Sequence, residues 1–159
     1  MRKPKLIRVN PYNRAVVVFS FKCGKEKVNP KKLFNNVLNQ DPFKKSEVDF
    51  YKTYIERYFD GSDQDDAWEG RTYCLTGGHA IMLINENLLT TTKDWFTTFP
   101  HEAVHIFNNV ANNLGLEVNY HGDSSRLVND EHQAYFVGWL CGELYEYMQQ
   151  PKLNTKNKK

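Results

Sequence analysis

Three residues of one predicted helix, His101, Glu102 and His105, have the types and the spacing of a metal site. Two histidines four positions apart on a helix project their imidazole rings in one direction, where both can bind one zinc ion at about 2.0 to 2.1 Å. The glutamate between them is poorly placed as a ligand but lies beside the metal, where it can act as a general base. Between Asp94 and Glu117 the chain has no other acid and no Lys or Arg, so a metal would supply the charge that compensates Glu102.

A catalytic zinc site uses a third protein ligand, and the candidate is Glu131. In the second long predicted helix this residue shares a face with Tyr135 and with three small residues, Ala134, Gly138 and Gly142. Small residues allow two helices to approach closely, so we expect this face to bring the Glu131 carboxylate within reach of the histidines. The alternatives are ordinary helix packing at the small residues and, for the histidine pair, a buried helix with two hydrogen-bonded imidazoles and an incidental glutamate.

The elements that must position these residues indicate an α+β fold. Three strands rich in apolar and β-branched residues are predicted, at 14–23, 73–75 and 80–84. Four helices are predicted from apolar periodicity, at 29–40, 46–59, about 93–114 and about 129–149. We interpret residues 60–70 as an exposed loop. The stretch AIMLIN, residues 80–85, has the character of a strand that can hold an extended peptide by backbone pairing.

A chain of 159 residues that is 40% hydrophobic is long enough for one domain with a substantial core. We expect that domain to span residues 1–150, with an N-terminal part (1–70), a metal-site core (71–150) and a disordered basic tail (151–159). Residues 1–45 carry twelve Lys or Arg against two acids, and the tail adds four lysines and no acid. Such segments can contact nucleic acid or an acidic partner, although a solvated basic surface is the commoner explanation.

The cysteines and the apolar runs exclude two other classes of protein. Cys23, Cys74 and Cys141 are odd in number and never form a CxxC pair, so neither a disulfide framework nor a cysteine zinc site is indicated. No stretch approaches the roughly 18 apolar residues of a membrane-spanning helix, and no apolar run follows the basic N-terminus as in a signal peptide. We therefore expect a soluble, cytoplasmic protein.

With these motifs the chain resembles the zincin metallopeptidases, and among them the gluzincins, which carry HExxH on one helix and a glutamate ligand on the next. The corresponding stretches here are HEAVH and EHQAY, and the resemblance covers about residues 71–148. The chain is similar in particular to small HExxH proteins of phages and mobile elements, in which a sheet precedes the active-site helix. The metzincin extension is absent, because Asn108 and Ala111 stand where it needs Gly and His. Tyr135 stands where thermolysin-like members have an aspartate that orients a histidine ligand.

The resemblance implies a zinc-dependent peptidase in which His101, His105 and Glu131 bind Zn²⁺ and Glu102 is the general base. Larger gluzincins take their oxyanion donor from a further C-terminal domain, so here the donor must be one of five residues, His79, Tyr120, His121, Arg126 and Tyr135. Of these, position in the chain favours His121, with Tyr135 as a second catalytic candidate. The substrate would be a peptide or protein, in a host-cell cytoplasm or in a virion if the chain is phage-encoded. The alternative is a non-catalytic binding or virion-associated structural module with a zincin fold.

Overall fold

A mixed four-stranded sheet lies at the centre of the computed structural model, which describes residues 2–10, 12–22, 43, 68–116, 118–119 and 128–152. Its strands, in the spatial order β1–β2–β4–β3, are β1 (Lys5–Val9), β2 (Arg14–Phe21), β3 (Gly70–Cys74) and β4 (Ala80–Asn85). β1 and β2 are antiparallel, β2 and β4 are parallel, and β3 and β4 are antiparallel. The three predicted strands are confirmed as β2, β3 and β4, whereas β1 was not predicted.

β4 is one of the two inner strands of this sheet, and this position corrects one expectation. Its six residues are all buried, and its backbone pairs with β2 on one side and β3 on the other. The prediction that residues 80–85 hold an extended peptide is therefore wrong, because no backbone edge of β4 is left to pair with it. β2 likewise is buried from Ala15 to Phe21, and continuous apolar runs of this kind are typical of strands covered on both faces.

Helix α1 (Thr92–Asn113) has well-defined signals at both ends. The Thr91 hydroxyl accepts from the Asp94 backbone N–H, and the Asp94 carboxylate accepts from the Thr91 N–H at 2.8 Å, which is a capping box. At the other end Gly115 has φ +67°, a conformation that favours glycine, and Leu116 donates back to the Ala111 carbonyl at 2.9 Å. The predicted helix at about 93–114 is confirmed.

Helix α2 (Asp130–Gln149) confirms the prediction at about 129–149 but packs through a different face. Its buried residues join the core formed with α1 and the sheet, and they are Phe136, Leu140, Leu144, Tyr147 and Met148. Gly138 and Gly142 are exposed, and a Cβ added at either would meet no atom within 4 Å. The prediction that the small residues mediate close helix packing is therefore wrong, since the larger apolar side chains bury more surface than glycines can.

Two short parallel strands, β5 (Val118–Asn119) and β6 (Val128–Asn129), lie between the two helices in sequence. The described architecture is thus α+β. The predicted helices at 29–40 and 46–59, most of the 60–70 loop and all but the first two residues of the predicted tail lie outside the described residues. None of the described helices is long and apolar enough to cross a membrane.

A buried ionic cluster joins the residue segments before β1 and after β4 to the C-terminal end of α2. Arg2 is 8% exposed, forms an ion pair with Glu86, and donates to the backbone carbonyls of Met148 at 2.7 Å and Gln150 at 3.1 Å. Lys152 also pairs with Glu86. Burial raises the pKa of Glu86, but hydrogen bonds from Lys152 and Ser20 and the charge of Arg2 outweigh it, so this pKa lies below its ordinary value.

Two basic residues of the N-terminal part are therefore used inside the molecule. Besides Arg2, Lys5 pairs with Glu143 at 2.7 Å. Nearby, the Tyr147 hydroxyl accepts from the Ser20 backbone N–H at 3.1 Å, and burial raises the pKa of Tyr147 to about 12. These contacts give Arg2 and Lys5 a structural role, and they reduce the basic surface that residues 1–45 can offer to an acidic partner.

Candidate metal centre

His101 and His105 lie one turn apart on α1, and the structure brings their imidazole rings together. Their Nε2 atoms are 3.2 Å apart, their ring centroids are 4.8 Å apart, and both side chains are exposed. Two nitrogen ligands bound tetrahedrally at 2.0 to 2.1 Å to one zinc ion are separated by about 3.3 Å. The pair therefore fits one zinc ion; without metal, the same distance is that of a hydrogen bond between the rings.

Glu102 lies on the buried side of the same helical turn. It is 4% exposed, and its Oε2 has no hydrogen-bond partner among the described residues. A buried carboxylate oxygen without a partner destabilises the fold unless a cation or a donor compensates it. A divalent cation on the neighbouring histidines would supply that compensation. The surroundings of Glu102, like the spacing of the histidine pair, therefore fit a metal site.

Strand β3 runs along α1 in the same direction and forms the other wall of the site. A Cβ added at Gly70 would lie 2.7 Å from Thr98 Cγ2 and 3.0 Å from Glu102 Cγ. Four residues on, the Cys74 thiol reaches the His105 carbonyl at 3.8 Å, and burial together with the charge of Glu102 raises the pKa of Cys74. The spacing between strand and helix therefore depends on glycine at position 70.

Further along α1, Asn109 ties the helix to the turn that follows β3. Its Nδ2 donates to the His79 carbonyl at 2.8 Å and to the Leu75 carbonyl at 3.4 Å. His79 is buried, and its Nδ1 accepts from the Ala15 backbone N–H at 3.1 Å. His79 thus has a structural role, and this geometry does not support it as an oxyanion donor.

We expect Gly70→Val to destabilise the protein, because a branched side chain has no room between β3 and α1. Forcing such overpacking costs about 1 to 3 kcal/mol, which lowers the melting temperature by several degrees, measured by thermal unfolding. Thr72→Val is the matched control: it introduces valine on the same strand and the same face, where the Thr72 hydroxyl is buried without a hydrogen-bond partner among the described residues. Equal melting temperatures for the wild type and Gly70→Val would show that the strand and the helix can separate without cost.

An open groove of about 340 Å³ extends from the candidate metal centre along the first half of α1. We call it the Glu69 groove, and its lining residues are Trp68, Glu69, Gly70, Thr97, Thr98, His101 and Glu102. The Thr98 hydroxyl donates to Glu69 Oε2, which fixes that carboxylate in the groove wall. The interpretation of residues 60–70 as an exposed loop missed this wall. The available signal was Gly70 at the start of β3, since a strand glycine often marks close approach of another element.

The other predicted site residues are not gathered around the histidines. No three His, Cys, Asp or Glu side chains in the described ranges are positioned to hold a metal ion together, so Glu131 does not complete the pair in this structure. Glu131 is the second residue of α2 and is exposed, and Tyr135 is 76% exposed. His121 lies outside the described residues. The assignments of Glu131, Tyr135 and His121 stay predictions.

Comparisons with protein families, with curated proteins and with solved structures found no match to this chain.

Proposed function

We propose that this chain is a zinc-dependent peptidase of the gluzincin type. One observation carries the proposal: two imidazole Nε2 atoms at a separation that suits one zinc ion lie beside a buried carboxylate oxygen without a described partner. A purely structural metal clamp gains nothing from a carboxylate in that place. His101 and His105 would hold the zinc with Glu131 as third ligand, and His121, Asp123 and Asp130 are the alternatives for that third position.

Glu102 would do the proton chemistry of peptide hydrolysis. A zinc ion at this site supplies Lewis acidity. The Glu102 carboxylate takes a proton from the attacking water and passes it to the leaving amine, as general base and then general acid. Gly70 lies against Glu102, since a Cβ added there would be 3.0 Å from Glu102 Cγ, and this close packing favours a fixed base. His121 or Tyr135 would donate to the oxyanion.

The peptide substrate would pair with β3 rather than β4. β3 is an edge strand of the described sheet, with β4 as its one described neighbour, and it lies against α1 beside Glu102. An extended peptide that adds to this edge is held by main-chain hydrogen bonds, with its scissile carbonyl near the histidine pair. A host-cell cytoplasm or a virion remains the proposed location.

The second candidate function is a non-catalytic zincin-fold binding or virion-associated structural module. The observation that favours it is the exposed position of Glu131, which leaves two ligands rather than three among the described residues. In that case the basic segments would form the contact surface for an acidic partner or nucleic acid.

We expect purified protein to bind one zinc ion per chain and to cleave an unstructured protein until a chelator is added. Zinc, measured by elemental mass spectrometry, should be lost in His101→Ala and His105→Ala, because each removes a ligand. His132→Ala is the control histidine and should keep full zinc. If Glu131→Ala retained its zinc, Glu131 would not be the third ligand. If a chelator left cleavage unchanged, the proposed zinc-dependent peptidase activity would be contradicted.

A further inference from the structure

The Glu69 groove carries an acidic charge that the proposed hydrolysis does not use. Two carboxylates line it, Glu69 and Glu102, and none of the lining residues is Lys or Arg. Glu102 lines this groove although it is 4% exposed, and its buried Oε2 has no hydrogen-bond partner among the described residues. The groove thus combines a polar wall, negative charge and a volume of about 340 Å³, which is enough for one long side chain.

Among the described residues, no ion pair joins the Glu69 carboxylate to a cation. If Glu131 is the third ligand, as proposed, a zinc ion with two neutral histidines, Glu102 and Glu131 sums to no net charge and leaves Glu69 uncompensated. Glu69 adds one negative charge, and its described hydrogen bond comes from the uncharged Thr98 hydroxyl. A described contact of Arg71, the next cation along the strand, is with the Trp68 ring, whose centroid lies 5.9 Å from the guanidinium carbon.

We propose that the Glu69 groove receives a cationic group of the substrate, a Lys or Arg side chain or a free terminal amine, and that Glu69 determines this preference. The inference rests on the proposed peptidase function. The cation pairs with the Glu69 carboxylate, and the Trp68 indole in the groove wall adds an aromatic surface of the kind that attracts ammonium and guanidinium groups. The Thr98 hydroxyl donates to Glu69 and fixes its carboxylate in the groove wall, so Glu69 selects the substrate whereas Glu102 transfers the protons.

The test uses three peptides that have the same sequence except at one tested position and that differ in whether the terminal amine is blocked. The first has lysine at the tested position with both ends blocked, the second has the uncharged isostere norleucine there, and the third has norleucine and a free terminal amine. Their binding is measured by fluorescence anisotropy on zinc-loaded Glu102→Gln protein, which holds the substrate without cleaving it. Glu69→Gln and Glu146→Gln are then added to that background, since Glu146 is exposed, loses the same charge and does not line the groove.

We expect one cationic peptide to bind about 10- to 100-fold more tightly than the blocked norleucine peptide, which is the range for a hydrogen bond to a charged group. Glu69→Gln should remove this preference and Glu146→Gln should keep it. Preference for lysine assigns the groove to a side chain, and preference for the free amine assigns it to a terminus. Equal binding of all three peptides, including no binding of any, overturns the inference.

Hydrolysis by the wild type separates this inference from the proposed function. Cleavage of the lysine, blocked norleucine and free-amine peptides at the same kcat/KM would leave the peptidase standing and remove the role of Glu69. Alternatively, cationic peptides could bind preferentially, with Glu69→Gln abolishing the preference, while no peptide is cleaved. That result would support the role of Glu69 in the groove and contradict the proposed peptidase activity.

Discussion

Glu102→Gln is expected to lower the rate of peptide hydrolysis by about 10² to 10⁴, the range for loss of a general acid–base group. Glutamine keeps the size and the hydrogen-bonding reach of glutamate but cannot take a proton at neutral pH. The zinc content should stay at one ion per chain, because the histidine ligands are unchanged. The measurements are kcat/KM on a fluorogenic peptide and elemental mass spectrometry on the same preparation.

The same substitution, which lowers the rate, is expected not to lower the stability of the fold. In metal-free protein the Glu102 carboxylate is buried and one of its oxygens has no described partner, so a neutral side chain should give an equal or higher melting temperature. Glu146→Gln is the control for loss of one negative charge and should leave the rate unchanged. If Glu102→Gln retained full activity, Glu102 would not be the base, and the histidine pair would be better explained as a structural metal clamp.

Glu86→Gln is expected to be the most destabilising of the proposed substitutions. It leaves the buried Arg2 guanidinium, 8% exposed, without its carboxylate partner and also removes the ion pair with Lys152. Breaking a buried ion pair by removal of one partner typically costs about 3 to 5 kcal/mol, a large part of the stability of an ordinary domain. Urea unfolding at neutral pH measures the loss.

Glu143→Gln is the matched control for the buried pair. It removes the carboxylate that pairs with Lys5, but the side chains of this pair are 20% and 31% exposed, so the cost should stay within about 1 kcal/mol. Equal losses in the two variants would mean that burial of Arg2 does not strengthen the pair with Glu86.

The pH dependence of stability gives a second measurement on Glu86. Its folded-state pKa is lowered below the ordinary 4.5, so it stabilises the fold above that pH and loses this contribution as the pH falls through the folded pKa. The wild type should therefore lose stability in the acid range, and Glu86→Gln should lose less there. An unchanged acid profile in the variant would remove Glu86 as a source of acid sensitivity.

The sequence predicted helix α1 and the geometry of its histidine pair well because these signals are local. The fixed spacing of His101 and His105 determines which way their rings project, and the structure places their Nε2 atoms 3.2 Å apart. Absence of Lys and Arg around Glu102 indicated burial, and Glu102 is buried. Strand β2 was predicted from its β-branched and aromatic residues and from the turn signal at Cys-Gly-Lys.

The parts that sequence did not predict depend on contacts between distant segments. The apolar run of β4 indicates a buried strand, but it does not show that β2 pairs with one of its edges. In α2 apolar and aromatic residues occur around much of the helix, so periodicity could not separate the buried Leu140 and Leu144 from the exposed Gly138. Glu69 entered the site because β3 lies against α1, a contact between distant segments that the local sequence indicates only through Gly70.

Parallel pairing of β2 with β4 has a consequence for folding kinetics. β1 and β2 are separated by a short turn, so their hairpin can form within a local stretch of chain. Residues 16–21 of β2 can pair with β4 only when residues 80–85, which are distant in sequence, come into contact with them. Contacts of high sequence separation slow folding. Until β4 arrives, β2 is an apolar strand with one unpaired edge, the kind of segment that pairs with another chain. We therefore expect newly made chains to be prone to aggregation in the interval before this closure.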